Sequence, residues 1–140
     1  MRYFFEICYN GMPYHGWQNQ PNAVSVQQVV EDSMTKVFRK KTPVVASGRT
    51  DTGVHCVKQY FHADVDAVFN EKEWIPKLNS ILPRFIAIRS IHPVKSEANA
   101  RYDAQDRTYE YHLTRVKDPI LVGRAYYFSR ELDLPLMARA

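Results

Sequence analysis

The residues of this chain that are best suited to chemistry lie in one short stretch, GRTDTGVH, at positions 48–55. An arginine, an aspartate and a histidine fall within seven residues there, together with two glycines. A carboxylate close to a guanidinium is a good nucleophile or base, because the cation favours its ionised form. A tight turn uses similar residues, since glycine adopts positive φ and an aspartate side chain accepts hydrogen bonds from backbone N–H groups. The stretch therefore indicates either a turn or a catalytic loop built around Asp51.

Two other kinds of site share part of this stretch. Asp-Thr-Gly at 51–53 is the tripeptide of aspartic proteases, in which two aspartates share one proton across a dimer. Arg49 argues against that site, because a cation beside the two aspartates would disturb the sharing of the proton. The spacing G-x-x-x-x-G also begins a phosphate-binding loop, but Val54 and His55 stand where that loop needs Lys and Ser or Thr. The phosphate-loop match therefore fails.

Composition limits the class of protein. The 140 residues suit one globular domain, and a net charge of +4 favours a polyanionic partner without proving one. Cys8 and Cys56 lie far apart and lack the spacing of metal ligands, which favours a reducing cytoplasm over a disulfide framework. The N-terminus is apolar only briefly and carries Glu6, so it predicts neither a signal peptide nor a membrane span.

Hydrophobic periodicity predicts an ordered series of strands and helices. Residues 2–9 alternate as a strand, and Ser25 is placed to cap a helix that has an apolar stripe. Further elements are expected as strands at 43–47, 56–65 and 85–91 and as a helix at 71–82, with a late start or a kink caused by Pro76. This order is that of the ferredoxin-like split βαβ unit, an α+β fold in which two helices cover one face of a four-stranded antiparallel sheet. The other face would be free to bind a ligand, as in RNA-recognition domains.

The remainder of the chain predicts extra strands and a helix. Residues 107–116 alternate as a strand, and RAYYFS at 124–129 predicts another. Arginine interleaved with tyrosine suits phosphate contact and base stacking, and an ordinary exposed strand is an equally compatible interpretation. ELDLPLMARA at 131–140 begins a helix and has no C-terminal cap, so we expect the chain to be part of something longer.

Four stretches of the sequence together resemble one family. They are YNGMPYHGWQNQP with VSVQ, then SGRTDTGVHC, then LNSILP, then ANARYDAQDRTYEYHL. In this order, covering nearly the whole chain, they are similar to the N-terminal half of the tRNA pseudouridine synthase A (TruA) family, and the GRTD-x-GVH block is highly specific. The resemblance implies that residues 1–140 form the half of a pseudouridine synthase fold that carries the catalytic aspartate, with the C-terminal half absent.

The resemblance also implies a reaction and a set of site residues. The family isomerises uridine to pseudouridine at positions 38, 39 and 40 in the anticodon stem-loop of tRNA, without a cofactor or a metal. The C1′–N1 bond breaks, the uracil rotates, and C1′ rejoins at C5. By resemblance Asp51 is the catalytic aspartate, acting as nucleophile at C1′ or C6 or assisting elimination. Arg49 would hold the flipped uridine and position Asp51, and Tyr109 would stack on the uracil. Arg101 and Arg107 fall at basic positions of the family, where we expect phosphate contact.

The chain departs from the family pattern in two ways. The family usually has an aromatic residue and a histidine where this chain has Ala98 and Asn99, which puts an RNA contact by position 99 in doubt. The chain also has about half the family's length, and the other half carries a basic residue that pairs with the catalytic aspartate. From the half length we expect little activity from this chain alone. The resemblance further implies that the full-length protein is a homodimer, and we expect it in the cytoplasm with no membrane association. A non-catalytic RNA-binding module is the alternative hypothesis, and an aspartic protease-like protein is a more remote one.

Overall fold

A computed structural model describes residues 1–66 and 68–139, which fall into two compact units, Met1–Arg107 and Thr108–Ala140. The first unit contains four strands and two helices. They are β1 (Arg2–Tyr9), α1 (Val26–Phe38), β2 (Val45–Ala46), β3 (Cys56–Asp64), α2 (Glu71–Ile81) and β4 (Ile86–Val94). No helix in the described ranges is long and apolar enough to cross a membrane.

The four strands form one antiparallel sheet in the order β2-β3-β1-β4. This is the order that the ferredoxin-like split unit requires, so the predicted fold class is confirmed for the first unit. The alternation of β1 decides which side chains face the helices, because successive side chains of a strand point to opposite faces. Tyr3, Phe5, Ile7 and Tyr9 are all buried, and Phe5 stacks on Phe61 of β3 with the ring centroids 4.9 Å apart.

Both helices cover this apolar face of the sheet. Ser25 caps α1 as predicted, since its side-chain oxygen accepts a hydrogen bond from the Gln28 N–H over 3.1 Å. The buried stripe of α1, which includes Val30 and Met34, and Leu78 of α2 join the same core cluster as Phe5. Burial of this cluster fixes the strand register, because a shift by one residue would turn the apolar side chains away from the helices.

Two details of the first unit differ from the prediction. Helix α2 begins at Glu71, capped by Asn70, so a late start caused by Pro76 is wrong; Pro76 lies inside the helix, where a kink stays a prediction. Strand β4 runs beyond the predicted 85–91 to Val94 and includes Pro93. It accommodates this proline because it is an edge strand, and an edge strand pairs on one side only.

The second unit contains less regular structure than the sequence predicts. Its elements are β5 (Leu113–Thr114), a 3-10 helix (Pro119–Leu121), β6 (Tyr126–Tyr127) and α3 (Leu134–Met137). The predicted strand at 107–116 is therefore wrong except at Leu113–Thr114, which pairs in parallel with β6. Tyr109 and Tyr111 are 61% and 88% exposed. The alternating side chains of this segment therefore pack on no apolar surface, and a strand is not stabilised there.

Candidate active site

The 48–55 loop connects β2 to β3 and is held in place by a second loop, residues 10–17, which follows β1. Thr50 is fixed twice: its carbonyl oxygen accepts a hydrogen bond from the Trp17 N–H over 3.0 Å, and its hydroxyl is 2.8 Å from the Tyr9 hydroxyl. On the other side of Asp51, the Gly53 N–H donates to the Tyr14 carbonyl oxygen over 3.2 Å. The residues before and after Asp51 are thus both bound to the segment that leaves the central strand.

The two loops meet backbone to backbone, and glycines make this approach possible. A Cβ on Gly16 would lie 2.5 Å from the Thr50 carbonyl oxygen, and a Cβ on Gly11 would overlap the Val54 carbonyl oxygen. The Gly11 N–H donates to Nδ1 of His55 over 3.1 Å, which gives that histidine a structural role at the end of the loop. No side chain larger than hydrogen fits at Gly11 or Gly16 unless the loops move apart.

Asp51 begins a turn and presents its carboxylate to solvent. The Val54 N–H donates to the Asp51 backbone oxygen over 3.2 Å, and Gly53 has a φ of +78°. The turn interpretation is therefore confirmed for the backbone. The Asp51 side chain is exposed and makes no hydrogen bond or ion pair with any described residue, and the same holds for Arg49. A carboxylate held on a fixed backbone and left without a protein partner can reach a bound substrate as base or nucleophile.

Arg107 reaches the start of the 48–55 loop. Its Nε and Nη2 both donate to the Ser47 carbonyl oxygen, over 3.0 and 2.6 Å, and Nη2 also donates to the Arg101 carbonyl oxygen over 3.2 Å. Arg101 itself is exposed, with its guanidinium carbon 5.9 Å from the centre of the Tyr102 ring. The structure thus brings Arg107 to the predicted loop and leaves the Arg101 side chain open to solvent.

Residues 98–101 lie over the face of the sheet that the helices leave uncovered. The Ala100 N–H donates to Nδ1 of His62 over 3.1 Å, and Nη1 of Arg2 donates to the Ala98 carbonyl oxygen over 3.0 Å. His62 shares this face with Phe4, its register partner, and is 6% exposed. The expectation that this whole face is free for a ligand is therefore wrong, because part of it is occupied by the chain itself.

Burial also lowers the pKa of His62, and the nearby Arg2 guanidinium lowers it further. Sequence reasoning missed both His62 and Arg2. Neither residue belongs to a recognisable motif, and both act through hydrogen bonds to the 98–101 segment, which lies far along the chain.

The substitution of Asn99 for the family's histidine has a local structural account. The Asn99 side-chain oxygen accepts a hydrogen bond from the Arg101 N–H over 3.0 Å, and Oδ2 of Asp103 accepts one from the Asn99 N–H over 2.8 Å. These bonds form a tight turn of the kind for which asparagine is suited. Tyr109, the remaining predicted site residue, belongs to the second unit and has an exposed side chain, so its stacking role stays a prediction.

Comparison with known proteins supports the resemblance. A family model described as tRNA pseudouridine synthase matches residues 7–103, a range that contains both loops of the candidate site. The curated proteins named tRNA pseudouridine synthase A from Porphyromonas gingivalis, Parabacteroides distasonis and Bacteroides fragilis are 45%, 41% and 39% identical to this chain, and each alignment covers 99% of it. The chain spans about half of their length, 56% of each. With the family model matched over most of the first unit, the chain belongs to the tRNA pseudouridine synthase family.

Proposed function

We propose that this chain is the catalytic-aspartate half of a tRNA pseudouridine synthase, with Asp51 as the catalytic carboxylate. One observation carries the proposal: Asp51 is exposed and unpaired among the described residues, on a backbone whose flanking residues Thr50 and Gly53 are both bound to the 10–17 loop. A reactive group fixed in this way needs little reorganisation when the substrate arrives. Membership of the family and the names of the curated relatives support tRNA as the substrate.

The reaction is an isomerisation, so no atom is gained or lost overall. The C1′–N1 bond of the target uridine breaks, the uracil turns, and C1′ bonds to C5. The proton on C5 is then lost to a base, and N1 gains one. Asp51 is suited to attack C1′ or C6, or to take a proton in an elimination, because a carboxylate can act as a nucleophile or as a base.

The other predicted site residues take their roles from the same proposal. Arg49 is exposed two residues before Asp51, where it can replace the stacking that the target base loses when it flips out of the stem-loop. Tyr109 offers an exposed ring for the uracil, and Arg101 and Arg107 offer guanidinium groups to phosphates. The proposed substrate is the anticodon stem-loop at positions 38–40.

We also propose that the natural gene product acts as a homodimer in the cytoplasm. Both cysteines, Cys8 and Cys56, are free thiols in the described structure, as a reducing compartment favours. The dimer rests on the family resemblance.

The test of the proposed function is Asp51→Asn in the natural gene product. Turnover is measured as tritium released from an anticodon stem-loop whose uridines carry tritium at C5. We expect release to fall by at least about 1000-fold, because loss of a nucleophile or base removes the chemical step, while the Kd for tRNA changes by less than about threefold. Thr52→Ser, an exposed neighbour in the same loop, serves as the matched control and should retain turnover.

Two outcomes would reverse the proposal. If Asp51→Asn retains turnover, Asp51 is not the catalytic group. If the unsubstituted protein binds tRNA and releases no tritium, the chain belongs to a non-catalytic RNA-binding protein. The 140-residue chain tested alone is expected to show little turnover, since it spans only about half of its relatives.

A further inference from the structure

We propose that Arg107 is a positioning residue that fixes the upstream end of the 48–55 loop and sets its distance from Arg101. The inference rests on the proposed function of that loop. It adds to Arg107 a role that the sequence does not indicate, since the sequence suggests phosphate contact alone.

The first step is the position of Ser47, where the chain leaves the sheet. Strand β2 ends at Ala46, and the Ser47 N–H still donates to the Tyr60 carbonyl oxygen over 2.8 Å. The acceptor group of Ser47 is satisfied by Arg107, which supplies two donors, Nε and Nη2, to the same carbonyl oxygen. Arg107 thus holds the last residue of the β2 region before the loop begins.

The second step is Gly48, the first residue of the loop. A Cβ placed on Gly48 would lie 3.5 Å from Nε and 3.6 Å from Cδ of Arg107, which is ordinary van der Waals distance. The Arg107 side chain therefore lies against the backbone of Gly48. The Gly48 carbonyl oxygen accepts a hydrogen bond from Nε2 of the buried Gln59 over 3.3 Å. Arg107 and Gln59 together fix the two residues that precede Arg49.

The third step is the link to the 98–101 segment. Nη2 of Arg107 also donates to the Arg101 carbonyl oxygen, and His62 and Arg2 hold that segment on the sheet. One guanidinium thus joins the residue that precedes the 48–55 loop, Ser47, to the backbone of a proposed phosphate ligand, Arg101. If Arg101 binds a phosphate of the stem-loop, Arg107 determines where that phosphate stands relative to Asp51.

The geometry requires arginine. A guanidinium is planar and presents Nε–H and Nη–H in a fixed fork, whereas a lysine ammonium is a compact charge on a flexible stem. Lysine at position 107 keeps the charge and cannot reproduce two converging donors to the Ser47 oxygen together with a third bond to Arg101. A phosphate contact alone would tolerate lysine far better, because the attraction to a phosphate is largely that of a charge.

The experiment compares Arg107→Lys with Arg101→Ala in the natural gene product. For Arg107→Lys we expect kcat for tritium release to fall by roughly 10- to 100-fold, since small misplacement of a reacting group has effects of that size. The Kd for the stem-loop and its dependence on salt should stay near those of the unsubstituted protein. Arg101→Ala keeps its backbone carbonyl, so we expect the opposite result: a higher Kd and a salt dependence reduced by about one phosphate contact.

A second readout does not depend on turnover. Hydrogen exchange of the amides in the 48–55 loop should become faster in Arg107→Lys and stay unchanged in Arg101→Ala, because only the first variant frees the Ser47 carbonyl. Arg107→Gln, which removes both the fork and the charge, should give an increase at least as large. It also supplies the test if Arg107→Lys does not fold.

The outcomes separate this inference from the proposed function. If Arg107→Lys keeps its kcat and its exchange pattern, or if Arg107→Gln changes only Kd and salt dependence, Arg107 is a phosphate ligand and not a positioning residue. The assignment of Asp51 then stands. If the unsubstituted protein shows no turnover, the proposed function fails, and faster exchange in Arg107→Lys still supports the contact with the loop.

Discussion

Asp51 takes its position from its neighbours, because its own carboxylate binds none of the described residues. Thr50 carries most of this task through its two bonds to Tyr9 and Trp17. Both of those residues are buried, with 5% and 2% exposure, so the groups that hold the loop belong to the core. This arrangement leaves the Asp51 carboxylate open to solvent while buried groups hold the backbone beside it in place.

Tyr9→Phe tests this division. Removing the hydroxyl leaves the ring packed and takes away the bond to the Thr50 hydroxyl, so we expect the free energy of unfolding to fall by about 0.5–1.5 kcal/mol. We also expect a lower kcat, because Thr50 adjoins Asp51. Tyr60→Phe is the matched control, since it removes a hydroxyl that donates to Glu6 on the other face of the sheet. Stability from denaturant unfolding and tritium release are the two measurements, and an equal loss of kcat in both variants would contradict the prediction.

His62 makes stability depend on pH. Its pKa is lowered from the ordinary 6.5 by burial and then by Arg2, while Asp64 and Asp103 oppose the shift. The unfolded chain therefore takes up a proton as pH falls below about 6.5, at a pH where folded His62 is still neutral. Stability should fall from there until the lower folded pKa is reached, with a slope of at most about 1.4 kcal/mol per pH unit for one proton.

Unfolding curves between pH 7 and 5 measure this slope. His62→Gln should flatten it, because glutamine has no proton to gain, although that variant should be less stable at pH 7. Asp64, whose pKa is lowered chiefly by its hydrogen bond to Arg2, contributes stability that is lost at lower pH, below its ordinary 3.8. The two effects therefore fall in separate pH ranges, and an unchanged slope in His62→Gln would assign the pH dependence to another group.

At the scale of the elements, the candidate site is built from two loops that leave the same sheet. The 10–17 loop leaves the central strand β1, and the 48–55 loop leaves the short edge strand β2. Much of their contact is made by backbone groups, because glycine at positions 11 and 16 lets the two main chains approach closely, and the His55 side chain adds a bond to the Gly11 N–H. The distance between the loops is therefore set by main-chain packing, which is less easily altered than side-chain packing.

Gly11→Ala and Gly53→Ala distinguish crowding from backbone strain. A Cβ at Gly11 would overlap the Val54 carbonyl oxygen, so the loops must separate, and we expect kcat to fall by on the order of 100-fold together with a clear loss of stability. Gly53 has a φ of +78°, and a Cβ there would meet no heavy atom within 4 Å, so alanine should cost about 1–2 kcal/mol through strain alone. Kinetics and unfolding of both variants provide the comparison, and a greater loss of kcat in Gly53→Ala would be the contrary result.

The elements predicted correctly are those whose sequence pattern lies within one continuous segment. The cap at Ser25 and the apolar stripe of α1 are complete within one segment, and the alternation of β1 coincides with a face that the helices cover. Residues 107–116 show a similar alternation and do not form a strand over most of their length. A strand needs a hydrogen-bonding neighbour and a surface to pack on, and residue pattern specifies neither.

The same limit applies to the candidate site. The 48–55 loop could be found from its density of glycine, arginine, aspartate and histidine, and the 10–17 loop from its glycine, proline and asparagine content. The contact between the loops could not be found, because most of its hydrogen bonds join backbone atoms, whose partners residue types do not specify. The target of Arg107 is a carbonyl oxygen 60 residues away, and a carbonyl oxygen is present at every position of a chain. Only the folded structure distinguishes Ser47 from the others.

At the scale of the whole molecule, the described residues that are buried all lie in the first unit. The core cluster runs from Tyr3 to Ile91, and Ala100 extends the buried set onto the opposite face of the sheet. Within residues 108–139 no side chain is buried, and the regular elements there are two to four residues long. The hydrophobic contribution to stability, which scales with apolar area removed from water, therefore resides in Met1–Arg107.

A chain shortened to residues 1–110 should consequently fold by itself. It keeps the four-stranded sheet, both long helices, the 98–101 segment and Arg107, so we expect a single cooperative urea transition followed by circular dichroism. Residues 1–95 form the matched control, because this shorter chain loses Ala100 and uncovers His62, and it should unfold at lower urea. If residues 1–110 show no cooperative transition, the core of the first unit is not sufficient for folding. The residues after 110 then contribute stability, although no side chain within residues 108–139 is buried.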